Sequence, residues 1–547
     1  MRRRPRSVAV RRIVGSVVTV PALALVLFVV PAAPANATVT VHGLFSDHMV
    51  LQRDVPVTLR GKAAPGEQIR VSLSTQAEPP QKAAWSTVAD KAGDWSVALA
   101  AMKSSTNTFA LTIAGENTLA IKNVVVGDVW ICSGQSNMEF LLGHCGRPDD
   151  AKDSHLPLIR EFRVPHVLTG RLQSDVRGKW TVCTPESAGG FSAVAFYFGR
   201  KVHRETGVPI GLITAVSSGT PIEPFVPAKG LTLIPELADD KIRVDKQIAE
   251  YRRDVSAALG RLESFVAETR KALDDGADLP ELPQLPVHPA LMNRPCGWHC
   301  VYNGMIHPVT GFPIKGALWY QGETNASEGD AYFHKMRALV GGWRNAWSQG
   351  DFPFYFVQLP SYGNPTDRAE GGDAWAKIRM AQFKALAIPR TGMAVAIDLA
   401  DVGNPGDIHP KNKRDVGERL ALWALAKDYG RTDLVYSGPV FKDMRVEGDT
   451  IRVFFDGVGS GLTVATKKGY AAAVEEPSGR LQRFAVAGQD RRWVWAQAVI
   501  DGKTVVVSSP EVRQPVAVRY AYSINPEGCN LYNKDGLPAS PFRTDEW

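Results

Sequence analysis

A single serine, Ser136, lies in a polar turn that follows an apolar strand. The stretch 124–140 has the sequence VVVGDVWICSGQSNMEF, and its first half is rich in valine and isoleucine, as in a buried strand. Ser133, Gly134 and Gln135 are turn residues that would hold a hydroxyl group at the carboxyl end of this strand. Open α/β sheets bind their ligands at that end. Ser136 is therefore the candidate nucleophile.

A serine hydroxyl attacks an acyl group efficiently only when a base takes its proton. Neutral imidazole, with an ordinary pKa of about 6.5, suits that role. The candidate base is His409, in the segment 398–410 (DLADVGNPGDIHP), which follows an apolar strand. Asp407 stands two residues earlier, so an extended segment would place both side chains on one side. We expect Asp407 to orient the imidazole, with Asp401 or a backbone carbonyl as the alternatives.

Two further polar loops follow apolar strands and offer hydrogen-bond donors. The segment 217–223 (SSGTPIE) contains Gly219, whose backbone N–H could face an oxyanion. The segment 320–325 (YQGETN) ends at Asn325, whose side-chain amide is a second donor. Both loops would lie at the same edge of a parallel sheet as the serine turn, and they predict an oxyanion hole there.

The predicted fold is α/β with β domains on both sides. Residues 123–430 alternate apolar strands with helical segments, which is typical of a parallel sheet covered on both faces. Residues 38–122 and 431–547 contain short alternating strands separated by turns, which predict an N-terminal β-sandwich and a C-terminal β domain. Within the core, apolar residues recur every three or four positions over 231–290, and we expect an inserted amphipathic helix packed on the domain.

The first 37 residues predict export. Six arginines precede an apolar run over 13–30, and Ala35-Asn36-Ala37 offers a cleavage site for a secretory signal peptide. A membrane anchor is the alternative, because the run nearly spans a bilayer. Six of the 63 basic residues and none of the 56 acidic residues lie in 1–37, so the mature chain is close to neutral. We expect a secreted protein, extracellular or periplasmic, with no stable membrane anchor after cleavage and no nucleic-acid partner.

The six cysteines of an exported chain permit up to three disulfides, and the sequence does not choose their pairing. Cys296 and Cys300, with His299 between them, look like half a zinc site, but no second pair at finger spacing follows. A disulfide or free thiols are favoured over metal. We expect no metal and no cofactor.

The motifs together resemble the sialate O-acetylesterase family of SGNH-type serine esterases. The similar stretches are GDVWICSGQSNME, SSGTPIE, LWYQGETNA and DIHPKNKRDVGERLA, and further similarity extends to both ends of the mature chain. The resemblance implies a three-layer α/β/α hydrolase core flanked by β-sandwich domains. It also implies Ser136 as nucleophile, His409 as base, and an oxyanion hole made by the backbone N–H groups of Ser136 and Gly219 with Asn325. The implied partner is an O-acetylated carbohydrate.

The chain departs from the family pattern at two positions. Ser218 replaces the first glycine of the pair that precedes Thr-Pro, which leaves the shape of that loop open. Gly406 stands three residues before the histidine, where the broader SGNH pattern has the acid. Asp407 remains the best candidate for that acid.

The substrate is the least determined feature. A sialic acid carries a carboxylate, which an arginine can bind through two hydrogen bonds, and Arg379 is our candidate. Acetylated xylan or xyloglucan would instead need aromatic platforms such as Trp319 and Tyr320. The candidate substrate-binding residues are Arg379, Gln135, Glu323 and Trp375, of which Glu323 is also expected to position the Asn325 loop.

Two other functions compete with an esterase. A glycosidase needs two carboxylates across a bond, and Glu323 with Asp401 or Asp407 could provide them, but the serine turn and His409 would have no role. A secreted, non-catalytic carbohydrate-binding protein is the second alternative, because the chain has 13 Trp and 13 Tyr.

Overall fold

The structure is a computed structural model that describes residues 38–75, 82–292, 296–401 and 403–547, so the predicted signal segment 1–37 lies outside it. The N-terminal strands are β1 (Thr40–Val41), β2 (Val50–Gln52), β3 (Val57–Lys62), β4 (Gln68–Thr75), β5 (Lys82–Val88), β6 (Asp94–Leu99), β7 (Ser105–Ala114) and β8 (Thr118–Gly134). β1, β3 and β6 form one antiparallel sheet, and β5, β4, β7 and β8 pair antiparallel in another. Buried and exposed residues alternate along β6 because one face packs on the core.

The second of these sheets continues into the middle of the chain. Its further strands are β9 (Leu156–Arg163), β10 (Trp180–Cys183), β11 (Ile210–Val216), β12 (Gly316–Tyr320), β13 (Phe354–Gln358) and β14 (Thr391–Val395). The order is β10-β9-β11-β8-β12-β13-β14, parallel except for β10, which is antiparallel to β9. The predicted α/β fold with a parallel sheet is confirmed.

Strand β8 belongs to both parts of this 11-stranded sheet. Its first residues are mostly exposed where it pairs with β7, and every residue from Val124 onward is buried. At its carboxyl end, Gly134 pairs with Val216 of β11 and with Tyr320 of β12. The loops that follow these three strands therefore start side by side.

Helices cover the parallel strands. They are α1 (Ser136–Glu139), α2 (Pro148–Lys152), α3 (Ala193–Thr206), α4 (Ala228–Leu233), α5 (Ala238–Asp275), α6 (Pro289–Met292), α7 (Ala331–Trp347), α8 (Ala374–Lys384) and α9 (Lys413–Asp428). α3 packs against α9, and α7 packs against α8. Every residue of β11, β12 and β13 is buried, as expected for parallel strands covered on both faces. In the described part of the chain, no helix is long and apolar enough to cross a membrane.

The inserted segment 231–290 contains α5, a helix of 38 residues. Ala258 is its only buried residue. Leu259, Val266 and Leu273, which the periodic pattern placed on a packed face, are 56%, 39% and 64% exposed. The prediction that this stripe packs on the domain is wrong for these three residues, because none of the residues that the structure describes covers their side chains.

The C-terminal strands are β15 (Val440–Glu447), β16 (Thr450–Asp456), β17 (Leu462–Thr466), β18 (Val474–Glu475), β19 (Phe484–Ala487), β20 (Trp493–Trp495), β21 (Gln497–Asp501), β22 (Thr504–Ser508), β23 (Ala517–Tyr520), β24 (Leu531–Asn533) and β25 (Phe542–Arg543). They form sheets of order β15-β16-β22-β21, β18-β17-β24 and β20-β19-β23-β25 around a core of their own. The predicted domain boundaries stay predictions.

Gly134 generates a stability prediction. Its φ is 139°, and a Cβ there would lie 2.1 Å from the carbonyl oxygen of Tyr320. We expect Gly134→Ala to lower the free energy of unfolding by about 2 to 4 kcal/mol, because β8 and β12 would have to separate. Equilibrium urea denaturation measures this change. The control is Gly189→Ala, whose Cβ would meet nothing within 4 Å. Equal stability of the two variants would contradict the prediction.

Candidate active site

Ser136 is the first residue of α1, directly after the end of β8. The backbone N–H of Gln135 donates to the carbonyl of Tyr320 at 3.1 Å and fixes the turn to β12. The N–H groups of Met138 and Glu139 donate to the Gln135 carbonyl at 2.9 and 3.0 Å. The Ser136 side chain is half-buried, and its backbone N–H has no hydrogen-bond partner among the described residues. The turn thus presents a hydroxyl and a free donor at the edge of the sheet.

The structure brings His409 to this serine. Nε2 of His409 lies 2.8 Å from Oγ of Ser136, which is hydrogen-bond distance. Asp407 Oδ1 accepts the backbone N–H of His409 at 2.8 Å and lies 3.8 Å from its Nδ1. Asp401 accepts the backbone N–H of Gly403 instead. Asp407 is therefore the carboxylate beside the imidazole, and its hydrogen bond goes to the backbone of His409.

The protonation state of His409 suits a base. Burial lowers its pKa from the ordinary 6.5, and the nearby Lys413 lowers it further, while Asp407 opposes both effects. The lowered pKa favours the neutral imidazole. With Nδ1 protonated, Nε2 is free to accept the proton of Ser136.

Gly219 lies in the exposed loop after β11 with a φ of 65°. This left-handed conformation favours glycine. Its backbone N–H makes no hydrogen bond within the described ranges. The neighbouring Ser218, which departs from the family pattern, donates its hydroxyl to Oε2 of Glu139 at 2.5 Å. This bond ties the Gly219 loop to the nucleophile turn.

The structure contradicts the predicted role of Asn325. This side chain is 1% exposed. Its Oδ1 accepts the backbone N–H of Ile222 at 2.9 Å and an N–H of Gln321 at 2.7 Å. Its Nδ2 donates to Glu223 and Glu328, both at 3.0 Å. Both amide hydrogens are used, so Asn325 supports the loops and leaves no donor for an oxyanion.

Arg379 is not a substrate-binding residue in this structure. Its side chain is fully buried. The guanidinium donates to the carbonyls of Leu359, Pro360, Ser523 and Ile524 at 2.8, 2.5, 2.7 and 2.9 Å. Burial lowers its pKa to about 9. Arg379 joins the loop after β13 to the C-terminal region and cannot meet a sugar carboxylate.

The predicted aromatic platforms are also buried. Trp375 is 5% exposed and donates its ring N–H to the carbonyl of Pro360 at 2.9 Å. Trp319 and Tyr320 are each 1% exposed. These rings belong to the core, because they lie on a buried strand and on the inner face of α8. None of them can stack on a sugar.

Gln135 and Glu323 face inward as well. The side-chain Oε1 of Gln135 accepts an N–H from Nε2 of Gln321 at 3.1 Å. Oε1 of Glu323 accepts from Nδ2 of Asn137 at 2.5 Å, and burial raises the pKa of this carboxyl. Both residues support the site, which corrects their assignment as substrate-binding residues. The expectation that Glu323 positions a loop agrees with this geometry.

Sequence reasoning missed Asn137 and Lys413. Nζ of Lys413 donates to Oδ1 of Asn137 at 2.6 Å, beside the Ser136–His409 pair. Asn137 follows Ser136 directly, and Lys413 lies four residues after His409. Their places inside the motifs that contain Ser136 and His409 were the available signal.

The C-terminal region supports the segment after His409. The hydroxyl of Tyr470 donates to the carbonyl of Lys411 at 2.6 Å, and Nδ2 of Asn412 donates to the carbonyl of Gly469 at 2.9 Å. Asn412 also caps α9 by accepting the N–H of Asp415. The segment that follows His409 is thus held between α9 and the loop that joins β17 to β18.

One of the cysteines lies beside these contacts, because the Tyr470 hydroxyl also donates to the backbone carbonyl of Cys145 at 2.6 Å. Cys296 and Cys300 form a disulfide. Cys132, Cys145 and Cys183 are buried free thiols. Among the residues that the structure describes, no group of His, Cys, Asp and Glu could hold a metal ion.

Comparisons with known proteins point in one direction. A family model described as carbohydrate esterase, sialic acid-specific acetylesterase, matches residues 299–426. The chain is 28% identical to sialate O-acetylesterase of Rattus norvegicus, over 91% of this chain and 92% of the rat protein. It is 27% identical to the Homo sapiens protein of the same name, over 91% of both. A solved carbohydrate acetylesterase from Xanthomonas citri is 36% identical, with a TM-score of 0.74 over 93% of this chain and 100% of that one.

The state of His409 predicts a pH dependence. We expect kcat/KM for a short acyl ester to be constant above the pKa of His409 and to fall about tenfold per pH unit below it, because imidazolium cannot accept a proton. The midpoint should lie below 6.5, since burial and Lys413 both lower this pKa. A pH–rate profile checks it. A midpoint above 7 would show that His409 is not the titrating base.

Proposed function

Because the chain belongs to the sialate O-acetylesterase family of carbohydrate esterases, and is therefore an esterase, we propose that it removes O-acetyl groups from carbohydrates through an acetyl-enzyme on Ser136. The observation that carries this proposal is the 2.8 Å contact between Ser136 Oγ and His409 Nε2. A serine hydroxyl in contact with a neutral imidazole is a nucleophile with its base. Parallel α/β sheets host many activities, so the assignment rests on this pair.

The proposed reaction has two halves. In the first, His409 takes the proton of Ser136 as Oγ attacks the acetyl carbonyl carbon, and the oxyanion is received by the free N–H groups of Ser136 and Gly219. His409 then gives the proton to the departing sugar oxygen, which leaves acetyl-Ser136. In the second half, His409 takes a proton from water, and hydroxide attack releases acetate and restores the serine.

Asp407 is the proposed acid of a Ser-His-Asp triad. Its carboxylate lies 3.8 Å from Nδ1 of His409, and a small rotation would bring the two into contact when the imidazole becomes charged. The bond from the His409 N–H to Asp407 already holds the carboxylate in place. Asp401 has no comparable contact with the imidazole.

Sialic acids are the first proposed substrates, because the relatives are named sialate O-acetylesterases. A neutral acetylated polysaccharide such as xylan or xyloglucan is the second. Two observations favour the neutral polysaccharide. Arg379 is buried and cannot bind the carboxylate of a sialic acid. The Glu139 carboxylate lies on the nucleophile turn, where it would repel a sugar carboxylate.

The remaining proposals concern architecture and location. We propose that the α/β core is a three-layer SGNH-type hydrolase and that the strands of 38–122 and 431–547 are β-sandwich domains. The alternating burial of β4 and β16 supports the second point. The arginine-rich, apolar segment 1–37 supports secretion without a lasting membrane anchor.

Ser136→Ala tests the function. We expect the purified wild-type protein to release acetate from O-acetylated sialic acid or from acetylated xylan, and the variant to lose at least about 10⁴-fold in kcat on either. Acetate assays on both substrates, run side by side, also identify the substrate. Release from xylan alone would exclude sialic acid. Wild-type rates in Ser136→Ala would refute the proposed nucleophile.

Asp407→Asn tests the acid. The amide keeps an acceptor for the His409 N–H but removes the charge beside Nδ1, so we expect kcat to fall about 10³-fold. Asp401→Asn is the matched control and should keep wild-type kcat. A loss of less than about tenfold in Asp407→Asn would leave Ser136 and His409 as a dyad without an acid.

A further inference from the structure

The backbone on both sides of His409 is held by two side chains. Nδ2 of Asn137 donates to the carbonyl of Ile408 at 3.0 Å. Nζ of Lys413 donates to the carbonyl of Pro410. The two side chains are joined, because the same Nζ donates to Oδ1 of Asn137 at 2.6 Å. Asn137 and Lys413 thus form one unit that binds the residues before and after the base.

This unit is also adjacent to the nucleophile in the chain. Asn137 directly follows Ser136, and its Nδ2 donates to Oε1 of Glu323 at 2.5 Å. The unit therefore connects the turn after β8, the loop after β12 and the segment that carries His409. Any change in Asn137 or Lys413 would act on the distance between Ser136 Oγ and His409 Nε2, which is 2.8 Å.

A cation at this depth is costly to maintain. Lys413 is fully buried, and burial lowers its pKa to about 7. The rings of Phe140 and Tyr320 lie 4.7 and 5.7 Å from Nζ and favour a cation. Oε2 of the buried Glu323 has no hydrogen-bond partner among the described residues. A purely structural core would be more stable with apolar residues here, which points to a functional reason for the cluster.

We propose that Lys413, acting through Asn137, is a positioning residue of the esterase site, which keeps the nucleophile turn and the His409 segment in register. The inference rests on the proposed function. It differs from the role of Asp407, because Lys413 bonds the backbone after the base and the residue after the nucleophile. A displacement of about 1 Å between reacting groups can cost about 10²-fold in rate.

The charge of Lys413 gives the proposal a separate signature. The groups that face His409 are Ser136 from α1, Asp407 from its own loop and Lys413 from α9. The groups that face Lys413 are Cys145, Glu323 and Asp407. Below pH 7 Lys413 is protonated, and its charge lowers the pKa of His409. Removal of this charge should raise that pKa.

The test is Lys413→Met, which keeps an unbranched side chain, one atom shorter, and removes its donors and charge. We expect kcat for a short acetyl ester to fall about 10²-fold with KM within about threefold, and the acid limb of kcat/KM to move to higher pH. Asn137→Ala should cost a similar factor in kcat. The double variant should lose no more than the worse single variant, because the two residues act as one unit.

Arg160→Met is the matched control. Arg160 lies on β9 and is also a buried cation, with 1% of its surface exposed. Its guanidinium donates to the carbonyl of His48 at 2.8 Å. We expect this variant to lose stability but to keep the wild-type acid limb and the wild-type kcat per folded molecule. If Lys413→Met does not fold, Asn137→Asp replaces it. That variant keeps the acceptor for Lys413, loses the donor to Ile408, and should show the same fall in kcat.

A direct titration separates this proposal from the proposed function. The pKa of the His409 imidazole, followed by NMR in wild type and Lys413→Met, should rise in the variant whether or not the substrate is correctly assigned. An unchanged His409 pKa together with wild-type kcat in Lys413→Met would overturn the positioning role. An inactive wild-type protein with a raised pKa in the variant would refute only the esterase assignment.

Discussion

The site depends on the close backbone approach at the end of β8. Gly134 lies between Val216 and Tyr320 in register, so three strands end at one point of the sheet. A side chain at position 134 would meet the Tyr320 carbonyl, and the next residue, Gln135, donates its N–H to that same carbonyl. The position of Ser136 is therefore set by strand pairing, and the polar loops surround it. Catalytic groups on such a rigid edge lose little entropy when substrate binds.

The polar residues at the strand ends fall into two groups, those that are partly accessible and those that are buried. Ser136 and His409 are partly accessible and touch each other, whereas Gln321 and Asn325 are buried and bond to other loops. Loops at the end of a buried sheet carry backbone groups and turns that water cannot reach, and buried amides satisfy them. A motif can thus be rich in polar residues mainly because the loops need internal hydrogen bonds. Only a minority of its side chains then face the substrate.

This division explains what could be predicted from the sequence. The parallel sheet, and the places of Ser136 and His409 in the loops at its edge, could be predicted because apolar strands and turn chemistry are local patterns. The predicted roles of Asn325 and Arg379 are wrong because they depend on contacts that are distant in sequence. Arg379 is buried by carbonyls near position 524, and no local pattern shows that approach. Spacing indicates which residues share a loop, but packing decides which way each side chain points.

The segment around His409 is held from several directions. Its carbonyls bind Asn137 and Lys413, its own N–H binds Asp407, and the next turn is held by Tyr470 from the C-terminal region. A base on an irregular segment has no sheet to define its position, unlike a serine at the end of a strand. Each missing ladder bond must be replaced by a side chain. Ser136 therefore needs little more than strand register, whereas the His409 segment needs side chains from both the core and the loop between β17 and β18. The C-terminal region is thus part of the structure that positions His409.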